Sequence, residues 1–83
     1  MYLRDIKEAE EFRNLLKTCN GTVYMQDESG SFYNLKSDIT LYVVTATMLS
    51  DKNNSLELFA QDREDEAKLI KFFLKLEQNR HIA

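Results

Sequence analysis

Proline is absent from this chain of 83 residues, and glycine occurs only at Gly21 and Gly30. That rules out a proline- or glycine-rich linker, so the two glycines are expected to punctuate elements, not to join domains. A single cysteine, Cys19, excludes an internal disulfide and points to a reducing cytoplasm. No apolar run approaches the ~18 residues of a membrane span, and Met1 is not followed by the apolar core of a signal peptide. Positive charge is also in short supply: 11 Lys and Arg against 14 Asp and Glu leave a net charge of −3. No basic stripe offers itself to nucleic acid.

What is present is ordinary for a globular domain, 43% apolar and 30% charged residues. The length allows one domain and one modest core, taken as residues 1–83. No repeat or low-complexity segment divides it.

The stretch "RDIKEAEEFRNLLKTCNG" is the clearest helix. Asp5 followed by Glu8 is the acidic form of a capping box. Ile6, Ala9, Phe12, Leu16 and Cys19 recur at three and four residues and predict one buried stripe. Asn20-Gly21 is expected to cap the helix C-terminus. "TVYMQ", the turn "DESGS" and "FYNL" then predict a hairpin, with Val23 and Met25 on one face of the first strand and Tyr33 and Leu35 sharing a face of the return strand. "SLELFA" alternates as a strand that turns Leu56, Leu58 and Ala60 inward. A last helix starts at Asp62 as N-cap, and Ala67, Leu69, Ile70, Phe73, Leu74 and Leu76 form its apolar face.

"SDITLYVVTATML" is the ambiguous segment. Its β-branched residues favour a strand. Ser37 with Asp38 just inside is a helix-start signature, and Ile39, Tyr42, Val43, Ala46 and Leu49 fall at helical spacing. Periodicity alone leaves both open.

The order helix, hairpin, "NLKS", apolar segment, strand, long helix resembles HPr, the small phosphocarrier of the bacterial sugar phosphotransferase system. The pieces that carry the resemblance are Gly30 to Ser37 and the closing "LELFAQDREDEAKLIKFF". The resemblance implies an α+β open-faced sandwich, a small antiparallel sheet with three helices on one face. It also implies that the segment after Ser37 is a helix. Only "MYLR" precedes Asp5, so the family's first strand is expected as a stub beside "SLELFA", whose edge would be partly open.

The family's phosphorylated histidine has no counterpart here. Aligning helix to helix puts Asp5 at the histidine, Lys7 at the family's arginine and Glu8 at its proline. The lone histidine, His81, lies in the C-terminal tail, expected to be frayed. Two carboxylates occupy the helix start where a phosphate would have to sit. Ser37 matches the serine phosphorylated as a regulatory signal in many members, yet a plain N-cap accounts for it, and Asp38 would repel an incoming phosphate.

Other candidates have simpler explanations. Cys19 lies on the buried stripe as a core thiol. The acids Asp62, Glu64, Asp65 and Glu66 match no metal-binding loop and suit a solvated helix start. Phe32, Phe59 and Phe72 fall outside the inward registers and are expected to be exposed, as a partner surface would be. The expected function is a degenerate HPr-like domain, with no enzyme activity, cofactor or metal. It would bind protein partners, phosphotransferase components among them, but no nucleic acid or membrane. A carrier using another acceptor such as Asp5 remains open, as does a homodimeric structural module. A weak dimer is expected through antiparallel pairing of two "SLELFA" edges.

Overall fold

A computed structural model describes residues 1–82, with side chains described through Arg80. The chain forms α1 (Ile6–Lys17), β1 (Val23–Gln26), β2 (Phe32–Asn34), α2 (Asp38–Ser50), β3 (Glu57–Ala60) and α3 (Arg63–Ile82). The strands make one antiparallel sheet in the order β2-β1-β3. The fold is therefore α+β, three helices with a small antiparallel sheet, and the ambiguous apolar segment is helical.

The hairpin between β1 and β2 is organised by one carboxylate. Asp27 Oδ1 accepts from the Ser29 and Ser31 backbone N–H groups at 3.0 and 3.1 Å, and Oδ2 accepts from the Tyr33 hydroxyl at 2.6 Å. Gly30 closes the turn at φ +89°, a left-handed conformation that side chains resist. The Ser29 and Tyr33 hydroxyls, with backbone bonds added, hold the Asp27 carboxyl down to about 2. The same bond raises the Tyr33 phenol above its ordinary value.

Val23 and Met25 point into the core with Phe12, Leu35, Val44, Met48, Leu69 and Leu76. Helix α2 packs on β2, α3 packs on β3, and α1 touches both other helices. The opposite sheet face is open. There Tyr24, Phe32 and Phe59 form an edge-to-face row across the three strands, with ring centroids 6.1 and 6.2 Å apart. Phe32 and Phe59 are exposed as expected. Phe72 is not: it is half-buried, packed on Phe12 at 6.0 Å and edge-on to Phe73 at 5.1 Å.

All three helices differ from expectation in the face they bury. On α1 the stripe Ala9, Phe12, Leu16 and Cys19 is buried, but Ile6 is exposed and Glu8 takes the inward position of the first turn. On α2 the expected Ile39, Tyr42, Val43 and Ala46 face solvent while Leu49 is half-buried against the core, and the buried set is Leu41, Val44, Thr45 and Met48. The helix is apolar around most of its circumference, so two stripes compete at the same spacing. Thr45 can be buried because its hydroxyl donates to the Leu41 carbonyl at 2.6 Å. On α3 the inward line runs through Asp65, Leu69, Phe72 and Leu76, leaving Ile70, Leu74 and Ala67 exposed.

Met1–Arg4 forms no strand, so the expected stub is not part of the sheet. Leu3 is buried, and its N–H donates to the Met48 carbonyl at 2.9 Å. Asn54 Nδ2 donates to the Met1 carbonyl at 2.6 Å. Capturing Leu3 beside α2 keeps this segment out of the β3 ladder, although Met1 still lines the cavity beside Leu58 and Ala60.

Candidate functional site

The start of α1 is the position at which the resemblance would place a phosphoacceptor. Asp5 is the N-cap, in extended conformation, and its carboxylate accepts from the Glu8 N–H at 2.9 Å. Glu8 does not close the box on the cap residue. Its Oε1 accepts from the Arg4 N–H one residue earlier, at 2.7 Å. The same oxygen accepts from Arg80 Nη2 at 2.7 Å, and Arg4 Nη2 lies 3.4 Å from Oε2. The Arg80 guanidinium stacks over the Tyr2 ring at 4.0 Å and donates to the Tyr2 carbonyl at 3.1 Å. Sequence reasoning missed Arg80. It sits one helical step beyond Leu76 on the inward line of α3, and a cation on such a line needs a buried carboxylate opposite. Lys7 is exposed and joins none of these bonds.

Both carboxylates at this helix start are therefore occupied, Asp5 by a backbone N–H and Glu8 by two arginines. The side chain of His81 lies outside the described residues.

At the other end of α1 a second polar cluster joins three elements. The helix ends at Lys17 with Thr18 as C-cap, so Asn20-Gly21 is not the cap. Both N–H groups of that dipeptide instead donate to Asp65, at 2.9 and 2.8 Å. Asp65 is fully buried. Burial pushes its carboxyl up, but the Gly21 and Asn20 N–H groups, helped by Lys68 and Lys36, outweigh that and hold it below the ordinary range. A Cβ at Gly21 would stand 3.3 Å from Asp62 Cβ, tighter than ordinary contact, so glycine is the easiest fit at this close approach. Lys36 and Lys68 each donate to a carbonyl past the helix end, Cys19 and Thr18, both at 3.2 Å. The Cys19 thiol is raised by burial first and by Asp65 second, which keeps it protonated.

Asp62 caps α3, accepting from the Glu64 and Asp65 N–H groups at 2.8 and 3.2 Å. With Asp62 and Asp65 so engaged, the acids do not converge, and no metal-binding group of three occurs among the described residues.

Ser37 is the N-cap of α2, accepting from the Thr40 N–H at a long 3.4 Å, and it is exposed with Asp38. Beyond it, α2 presents Ile39, Tyr42 and Val43 to solvent, the first two 79% and 77% exposed. A groove of about 350 Å³ separates this face from α1, lined by Ile6, Ala9, Arg13, Tyr42, Ala46 and Leu49. Asp5 and Ser37 thus stand at the starts of the two helices that border one apolar groove.

No family model, curated protein or solved structure matches the chain. No helix among the described residues is long and apolar enough to cross a membrane.

Proposed function

We propose that this chain is a non-catalytic, HPr-like protein-binding domain whose partner surface is the outward face of α2 with the adjoining groove to α1. The observation that carries the reading is the exposure of Ile39, Tyr42 and Val43, with Ile6 across the groove. A contiguous apolar surface of this kind on a small domain is a mark of protein contact. The small antiparallel sheet and its three helices are consistent with the α+β arrangement that the HPr resemblance implies. The engaged state of Asp5 and Glu8 supports binding without phosphoryl transfer, because a new phosphate would have to displace the Glu8 N–H or the Arg80 pair.

Two measurements test this. Incubation with phosphoenolpyruvate and the phosphotransferase enzyme that charges HPr is expected to add no phosphoryl group; a gain lost in Asp5→Asn would overturn the non-catalytic reading. Titrating the isotope-labelled protein with that enzyme is expected to shift backbone amides around Ile6 and Ile39–Ala46. Shifts absent there would remove the phosphotransferase link.

A further inference from the structure

The outer edge of β3 is unpaired, and its hydrogen-bonding phase can be worked out. Gln61 N–H donates to the Thr22 carbonyl at 3.1 Å. In an antiparallel ladder, hydrogen-bonded and non-hydrogen-bonded pairs alternate. With Tyr24 opposite Phe59 and Gln26 opposite Glu57, those two β3 residues turn their backbone groups toward β1. Leu58 and Ala60 turn theirs outward. The strand order puts nothing beyond β3 among the described residues. No proline, bulge or lysine within Glu57–Ala60 guards this edge.

The edge opens into a cavity of about 300 Å³ whose wall is α3, through Leu69, Ile70, Phe73 and Leu74. Ile70 and Leu74 are each 54% exposed, unusual for residues beside a core. Glu66 and Glu77 stand toward the two ends of the wall, Met1 also lines the cavity, and no lysine or arginine side chain does. The eleven helical steps from Glu66 to Glu77 span about 16 Å at 1.5 Å per step. An extended chain covers that distance in about five residues.

We propose that the β3 edge and the α3 wall form a docking groove for one extended segment of a partner protein, apolar at alternate positions and carrying a basic residue at each end. The segment adds as a fourth strand. Its backbone pairs with Leu58 and Ala60, its inward side chains enter the cavity, and its terminal cations meet Glu66 and Glu77. This surface is separate from the α2 face and does not depend on that reading.

Charge decides against a second copy as the occupant. An identical edge carries the same Glu66 and Glu77 and no lysine or arginine in its groove, so a second copy brings acids to acids. Like charges placed so reject the partner.

The probes are two synthetic peptides, Lys-Thr-Val-Thr-Val-Thr-Lys, whose lysines share a face with the valines, and its counterpart with Glu at both ends, read by amide hydrogen exchange on the labelled protein. At about millimolar peptide, the lysine-ended one is expected to slow exchange at Leu58 and Ala60, and the glutamate-ended one is not. Glu66→Gln with Glu77→Gln changes only exposed side chains, so the fold is retained, and it should weaken the lysine-ended peptide about fivefold. The proposal fails if neither peptide protects those two amides or if both protect them equally. It fails also if the amides become protected with rising protein concentration alone, which would identify a second copy as the occupant.

Discussion

Glu8 is a charged side chain placed where an apolar one was expected, and its position is stable only because three donors converge on it. Removing it would leave Arg80 mostly buried without a carboxylate and the Arg4 N–H without an acceptor. Loss of one partner of a buried pair costs about 3–5 kcal/mol, and the partial exposure of Arg80 places Glu8→Ala nearer the lower figure. Urea denaturation should record that loss. Arg80→Met should cost less, because a methionine keeps the contact with Tyr2 and the Glu8 carboxylate retains the Arg4 N–H and guanidinium. Ile6, two residues away, is exposed because the ion pair occupies the inward side of the first turn, while Ala9, Phe12 and Leu16 keep the expected face.

Helix α2 separates what was legible in the sequence from what was not. Ser37 and Asp38 marked its start correctly, because a cap is a local interaction between residues three apart. Its inward face was misjudged, because that choice depends on what arrives from elsewhere: Met25, Leu35 and Phe12 form the other side of the core. The hairpin was legible for the local reason, in Asp27 and Gly30. The Asp65 and Arg80 clusters were not, since each joins residues more than forty positions apart. The two faces of α2 give a direct test. Met48→Ala should cost about 3 kcal/mol as a buried side chain replaced by a cavity. Tyr42→Ala should change stability by no more than about 0.5 kcal/mol while weakening any partner that uses the α2 face. Thermal and urea unfolding of the two variants would reverse this order if the outward stripe were the core.

For the molecule as a whole, acid is the condition that should loosen it. Asp27 and Asp65 both have folded-state carboxyls below the ordinary value, Asp27 at about 2 against 3.8. A group depressed on folding contributes stability that is present above the unfolded value and is lost as pH falls through the folded one. The urea midpoint should therefore fall as pH drops from about 4 toward 2. Asp27→Asn should flatten part of that slope and leave behaviour near neutral pH free of the acid transition. An unchanged slope in Asp27→Asn would show that the hairpin carboxylate does not contribute.

The contact between Asp65 and the Asn20–Gly21 backbone has a consequence for how the chain opens. An isolated helix frays from its ends, one residue at a time. Here the first turn of α3 holds a segment 44 and 45 residues earlier, and that segment leads directly into the central strand. Fraying at this end must release the approach to β1 in the same event. The start of the last helix and the entrance to the middle of the sheet thus behave as a single latch, and partial opening there is suppressed in favour of opening together.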